Sequence, residues 1–269
     1  MSEHLITRNE FEQLRRVLYQ QAGISLADNK QTLVTGRLAK RLRETGHPTY
    51  TSYLREVVGG NGRELQIMVD LLSTNETSFF REPKHFDLLR DYVQSRQNRS
   101  APLSAWSAAC SSGEEPYTIA MVLMNALGSA APWDVLATDI STRVLARAQT
   151  AHYSLERSRT IPTEYLKKFC LKGVREEAGT FLITPEVAER VRFRHLNLIE
   201  PIPDNIGSFD VIFLRNVMIY FDMETKRKIV GALVPRIKRG GYLLVGHSET
   251  LNGVTDQLVA ERPSSYRKP

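Results

Sequence analysis

Leu103-Ser104-Ala105-Trp106-Ser107-Ala108-Ala109-Cys110-Ser111-Ser112-Gly113-Glu114-Glu115-Pro116-Tyr117 reads as a short apolar strand, a turn of small residues, and a helix expected from Tyr117. Small side chains in such a turn let a ligand approach the backbone, and the helix start offers unpaired N–H groups. Downstream, Val135 to Thr138, Phe209 to Leu214 and Tyr242 to Gly246 are further short apolar runs bounded by turn residues, with helical segments between several of them. That alternation predicts a parallel, doubly wound α/β sheet.

Upstream the period is helical. Phe11, Leu14 and Leu18 recur at one helical spacing, and Val34, Leu38 and Leu42 at another. Gly23, then Gly46 with Pro48, then Gly59, Gly60 and Gly62 punctuate the run, so residues 1–75 read as a four-helix domain. Residues 76–100 read as a linker with a lead-in helix through Leu88, Leu89 and Val93, ending in the polar stretch Ser95 to Ser100. Residues 101–269 form the α/β domain. Within it, about 163–194 breaks the alternation with Gly173, Gly179 and the β-like run Thr180 to Thr184, which predicts a small inserted antiparallel β-subdomain.

At 269 residues the chain can bury a sizeable core without staples. Cys110 and Cys170 are too few for a disulfide framework or a metal knuckle and point to a reducing compartment. No apolar run approaches the roughly 20 residues needed to span a bilayer, so a cytoplasmic protein without membrane insertion is expected. The net charge of +6 favours an acidic partner. No basic tract is interleaved with aromatics, which counts against nucleic acid.

The acidic first helical turn decides the ligand class. Glu114 and Glu115 would repel a diphosphate, and the turn lacks G-x-G-x-x-G, so a dinucleotide fits poorly. A cationic ligand such as S-adenosylmethionine, with its ammonium and sulfonium, fits well. Asp139 stands just beyond the second strand, where an acidic side chain can accept from ribose hydroxyls or instead cap the next helix beside Ser141. Asn197 and Leu198 follow the strand-like run Val191 to Arg194, offering an amide and an apolar group for an adenine edge. Arg215, Asn216, Val217, Met218, Ile219, Tyr220 and Phe221 follow Phe209 to Leu214 directly. All these loops fall at strand C-terminal ends, the edge where open α/β sheets bind ligands. His247, Ser248 and Glu249 share one short loop without a nucleophile elbow, which argues against a hydrolase triad, and no H-x-x-x-H pair suggests a metal.

The strings LLSTNETSFFRE (71–82), WSAACSSGEEPY (106–117), ATDI (137–140), LNL (196–198), RNVMIYF (215–221) and GHSE (246–249) resemble, in order and spacing, the CheR-type chemotaxis receptor glutamate methyltransferases. The resemblance covers nearly the whole chain. It implies a Rossmann-like class I SAM-methyltransferase fold and methyl transfer from S-adenosylmethionine to receptor glutamates, giving methyl esters and S-adenosylhomocysteine. It further implies cofactor contacts at Asn75, Thr77, Arg81, Glu115, Asp139, Asn197, Leu198, Asn216 and Val217. Glu114 is expected to share the ammonium. Arg81 and Tyr220 are the candidates for orienting the acceptor carboxylate.

On the second helix Arg37, Lys40 and Arg41 lie opposite Val34, Leu38 and Leu42. By the resemblance, this basic stripe is expected to approach the acidic helical stalk of a chemoreceptor, and the basic surface could also accept a regulatory adaptor protein. The segment Leu171 to Thr184 stands where some members of the family dock a receptor C-terminal peptide. Here Lys172 to Gly179 replaces the glycine-rich turn of tethering members, so a subdomain without the tether is expected. The competing readings are a cofactor sensor and an RNA methyltransferase; the 71–82 linker counts against RNA, and Arg81 with Tyr220 against a sensor.

Overall fold

The computed structural model describes residues 5–96 and 101–269; residues 1–4, and the 97–100 part of the expected polar stretch, lie outside the described residues. The chain begins with α1 (Arg8–Ala22), α2 (Gln31–Thr45), α3 (Tyr50–Val58) and α4 (Gly62–Leu72). Glu10 starts the first of these. It closes a reciprocal cap with Thr7, whose hydroxyl accepts from Glu10 N while Thr7 N donates to the Glu10 carboxylate at 2.9 Å. The same carboxylate accepts from Thr51 N at 2.9 Å, tying α1 to α3. Phe11, Leu14, Leu18, Val34, Leu38 and Leu42 all face one core with Tyr50, Tyr53, Met68 and Leu72.

A buried ion pair locks α2 to α4. Arg41 reaches Glu64 through Nε at 2.8 Å and NH2 at 2.5 Å, and the Tyr53 hydroxyl donates to the same carboxylate at 2.8 Å. Arg37 turns the other way and donates to the carbonyls of Leu72 and Ser73 at 2.9 and 3.0 Å. The basic stripe of Arg37, Lys40 and Arg41 is thus partly engaged within the fold. Arg37 and Arg41 hold the fold, and Lys40, with 81% of its side chain exposed, projects into solvent.

After the linker come α5 (Lys84–Ser95), β1 (Leu103–Ser107), α6 (Glu114–Leu127), β2 (Trp133–Asp139), α7 (Thr142–Gln149) and β3 (His152–Ser154). Then follow α8 (Thr163–Phe169), β4 (Cys170–Lys172), β5 (Thr180–Ile183), α9 (Pro185–Ala188), β6 (Val191–His195) and β7 (Phe209–Leu214). The chain ends with α10 (Met223–Leu233), β8 (Ile237–Val245), β9 (Val259–Arg262) and β10 (Ser265–Arg267). Among the described residues the main sheet has the order β6-β2-β1-β7-β8-β10-β9. Five strands are parallel, as expected. β10 then adds antiparallel to β8 and β9 antiparallel to β10, so the sheet is mixed.

Successive strand residues feed opposite faces. Ala105, Val211 and Leu244 pack with α5 and α6, whereas Trp106, Ile212 and Leu243 pack with α10. The strand order reverses between β1 and β7, which opens a crevice beyond their C-terminal ends.

Three element boundaries differ from the sequence expectation. α6 starts at Glu114 rather than Tyr117, because Pro116 needs no donor in a first helical turn. β8 starts at Ile237, where Lys238, Arg239 and two glycines conceal the strand; Lys238 pairs with Asp210 at 2.6 Å. The small sheet has the order β3-β5-β4, so it recruits His152–Ser154 from ahead of residue 163, whereas Val191–His195 pairs with β2 in the main sheet.

The Arg41 hydrogen bonds hold the Glu64 carboxyl below its ordinary range against the burial that raises it. A depressed carboxyl stabilises the fold above its unfolded pKa, and that contribution is lost as pH falls through the folded value. Glu64→Gln should therefore lower the unfolding free energy by about 1–3 kcal/mol at pH 7. The deficit should shrink toward pH 3. Urea unfolding of both proteins at the two pH values measures it, and an unchanging deficit would take the charge out of the argument.

Candidate active site in the crevice between the domains

A cleft of about 500 Å³ opens beyond β1 and β7, walled on one side by the sheet and on the other by α2 and the loops flanking it. Of the residues singled out from the sequence for the site, all but Glu114 line it: Asn75, Thr77 and Arg81 from the linker, Glu115 and Asp139 from beyond the first two strands, Asn197 and Leu198, and Asn216, Val217 and Tyr220.

The turn after β1 is held from several sides. Ser111 N donates to Asp139 Oδ2 at 2.8 Å, and Ser111 Oγ donates to the Asn75 carbonyl at 2.9 Å, so turn, second strand and linker meet at one residue. Gly113 has φ +96°, and a Cβ there would lie 2.7 Å from the Tyr153 hydroxyl, so both backbone angle and space require glycine. Glu115 accepts from Ser107 Oγ at 2.7 Å and pairs with Arg215 at 2.8 Å. Burial pushes its carboxyl above the usual range, with the Arg215 charge opposing.

Asp139 lines the cleft and also braces the start of α7. Its Oδ1 accepts from Ser141 N at 2.9 Å, while Ser141 Oγ caps α7. Each oxygen keeps acceptor capacity toward the cleft. Burial pushes this carboxyl up as well, against the Ser141 and Ser111 N–H groups. Asn197 donates its Nδ2 to the Gln21 carbonyl at 2.7 Å, which joins the loop after β6 to the end of α1.

Arg215 escaped the sequence reading. Its side chain is only 2% exposed. NH1 binds Glu115, Nε and NH2 bind Glu82 Oε2 at 3.3 and 3.0 Å, and NH2 also donates to the Arg81 carbonyl. Glu82 escaped too, although it closes the 71–82 motif. The available signal was a charged residue directly after an uninterrupted apolar strand, since a cation there must find a buried partner. Glu249 is a third such residue. It accepts from Asn216 N at 2.8 Å, Gly246 N at 2.6 Å and Ile219 N at 3.3 Å, so the apparent His247-Ser248-Glu249 triad is a clamp on the 215–221 loop.

Glu114 does not reach the cleft, which corrects the expectation that it shares an ammonium. It is fully buried, accepts from Ser112 Oγ at 2.7 Å and pairs with Arg157. Consecutive helical residues point about 100° apart, so only one of the two carboxylates can face a ligand. Glu82, His85 and His247 bring donor atoms within 4.8 Å of one another, a spacing compatible with a metal. The Glu82 carboxylate is already committed, however: Arg215 Nε and NH2, Asn216 Nδ2 and His247 N fill its roughly four acceptor positions. His85 is buried beside it, and that burial, followed by the Arg215 charge, pushes its pKa down to about 4.

The cleft suits a cation whose body is partly apolar, with Leu198, Val217 and Phe221 among its walls. Two buried carboxylates with raised pKa values favour a positively charged ligand, and the buried Asn75 Nδ2 has no partner among the described residues, leaving a donor for it. The residues present thus fit the donor and acceptor set of an amino-acid-bearing nucleoside.

The family model described as CheR methyltransferase, SAM binding domain, matches residues 75–266, and that described as CheR methyltransferase, all-alpha domain, matches residues 9–73. Chemotaxis protein methyltransferase 2 of Pseudomonas aeruginosa is 42% identical over 244 residues, 90% of this chain and 87% of that protein. Chemotaxis protein methyltransferase of Escherichia coli is 40% identical over 269 residues, 99% of this chain and 93% of that protein. The Salmonella typhimurium protein of the same name is 39% identical over 258 residues, covering 95% and 88%.

A cationic cofactor seated against Glu115 and Asp139 would favour their ionised forms, so its affinity should fall as pH drops through their raised pKa values, starting above the ordinary carboxylate range near about 4.3. Glu115→Gln should weaken S-adenosylmethionine binding by about 10- to 100-fold and flatten that pH dependence. Calorimetric titration from pH 5 to 8 reads both. A variant that binds normally at every pH would remove Glu115 from the site.

Proposed function

The chain belongs to the CheR methyltransferase family, the S-adenosylmethionine-dependent methyltransferases of chemotaxis, and from that premise we propose that its acceptor is the side-chain carboxylate of glutamates in the cytoplasmic helical region of chemoreceptors. The observation that carries this reading is the make-up of the cleft: the described residues lining it include Arg81 and Tyr220 beside Asn216 and Val217, and no histidine. An alcohol or amine acceptor must lose a proton, which calls for a base. A glutamate is already ionised at neutral pH and needs only to be positioned.

When bound, S-adenosylmethionine supplies an electrophilic methyl group, whose transfer to a carboxylate oxygen gives the methyl ester and S-adenosylhomocysteine. The protein's part is placement. Glu115 and Asp139 hold the two ends of the cofactor's polar framework, and the linker donors at Asn75 and Thr77 complete its enclosure. Arg81, half-buried, commits NH1 to the Glu76 carbonyl at 3.0 Å and keeps further donors for an incoming carboxylate. Its work is orientation, because a tight ground-state ion pair would weaken the nucleophile. Tyr220 flanks the same opening, its carbonyl fixed by Ser25 N at 2.8 Å.

Docking of the receptor falls to the exposed part of α2. Lys40 and Arg43 point outward, while Lys30, Leu33 and Arg37 of the same stretch line the cleft. An acidic helix laid along α2 therefore runs toward the opening.

Incubating the protein with methyl-labelled S-adenosylmethionine and receptor-bearing membranes should give base-labile label on a receptor-sized band. Base-stable label would point to N-methylation instead. Arg81→Ala should reduce that rate by about 10²-fold. Lys40→Glu combined with Arg43→Glu should weaken receptor methylation while leaving the cofactor Kd unchanged, and equal losses in both would place these residues in the fold.

A further inference from the structure

Of the seven non-glycine residues with left-handed backbone angles among the described residues, Ser111 at φ 48° and Asn216 at 57° line the cleft, and Phe80 at 52° and Glu82 at 57° flank Arg81, which lines it too. Each costs about 1–3 kcal/mol and persists only where its surroundings over-determine it. Two of them, Glu82 and Asn216, are bonded to each other, Asn216 Nδ2 donating to Glu82 Oε1 at 3.2 Å.

That bond settles the direction of an amide. An ionised carboxylate only accepts, so it must face the NH2 end of Asn216, and the planar amide then turns its carbonyl Oδ1 elsewhere. Glu82 is held in the ionised form by His247 N at 3.1 Å, Arg215 and Asn216 itself, which together overcome the burial that would protonate it. The Asn216 backbone is fixed independently by Glu249, and Gly246 packs so closely that its missing Cβ would overlap Asn216 Nδ2. Among the described residues no donor engages Asn216 Oδ1, and Asn216 lines the cleft.

We propose that Glu82 is a positioning residue that presents the Asn216 carbonyl to the sulfonium end of the cofactor, so that the site distinguishes S-adenosylmethionine from S-adenosylhomocysteine by charge. The inference rests on the reading of Asn216 as the residue beside the methyl group. A sulfonium spreads positive charge onto its methyl C–H bonds, and a carbonyl oxygen is the partner such donors take. The product is a neutral thioether and gains nothing from the same oxygen. Glu82 thus acts through Asn216 and favours release after transfer.

Equilibrium affinities for the two nucleosides, measured by calorimetry without any acceptor, test the proposal separately from the choice of acceptor. Glu82→Gln can turn its own NH2 toward Asn216 and let the amide flip. It should lower the ratio of S-adenosylmethionine to S-adenosylhomocysteine affinity by about two- to fivefold, whereas a merely loosened site would weaken both alike. Asn216→Gly, which relieves the left-handed angle and leaves the Arg215 ion pairs in place, should lower the ratio to the same extent. The double variant should go no further. An unchanged ratio in Asn216→Gly overturns the proposal even if Glu82→Gln fails to fold, and additive losses in the double variant overturn it as well.

Discussion

One buried guanidinium holds the site together. Arg215 emerges from the central strand β7 with no access to water, and a cation so placed must be satisfied by its neighbours. It takes Glu115 from the first turn of α6, Glu82 from the linker, and the Arg81 carbonyl. Three segments distant in sequence are thereby brought to one point beyond the sheet. Removing either carboxylate would leave part of that charge uncompensated, so the first turn of α6 and the linker are not independent of one another. The local charge also stays slightly acidic, with two carboxylates about one cation, which is the balance a cationic ligand requires.

The cleft is a joint between domains, and its width depends on how the helical domain is fastened. On one flank Asp70 of α4 accepts from Thr142 N and Oγ1 at 3.1 and 3.0 Å, capping α7 across the domain boundary. On the other, Tyr19 of α1 donates to Asp222 at 2.8 Å, and Asn197 donates to the Gln21 carbonyl. Gly23, which ends α1, sits so close to Ile199 that a Cβ would lie 2.6 Å from its methyl. Both attachments run through loops at strand C-terminal ends. A small rotation of the helical domain would therefore move Asp139 and Asn197 on one wall of the cleft along with the residues of α2 on the other.

How much of this the sequence disclosed follows from what spacing can encode. That Glu115, Asp139, Asn197 and Asn216 line the cleft was legible because each is polar and falls in the turn or loop after an apolar run, the position where an α/β sheet presents its ligands. The Arg215–Glu82 pair was not, because 133 residues separate its partners and no periodicity relates them. The engagement of Arg37 and Arg41 within the fold was hidden for a related reason. A helical wheel gives the direction of a side chain but not what waits there, and the buried acceptor at Glu64 lies on another helix. The strand His152–Ser154 is too short to show a period at all, and β8 hides its beginning among Lys238, Arg239 and two glycines.

The two adjacent carboxylates at the start of α6 show how the inserted sheet enters the chemistry. Glu115 faces the cleft; Glu114 faces the insert, where Arg157 pairs with it. Tyr153 of β3 donates to the Ser112 carbonyl at 2.7 Å, with its ring stacked on Phe181 of β5 and edge-on to Phe79 of the linker. The turn that carries Ser111, Gly113 and Glu115 is thus gripped from behind by the small sheet. A turn of small residues is cheap to deform, and the left-handed angle at Ser111 gives it reason to relax. The insert supplies the rigidity that the turn's own sequence lacks, which makes it part of the cofactor site as well as a surface of its own.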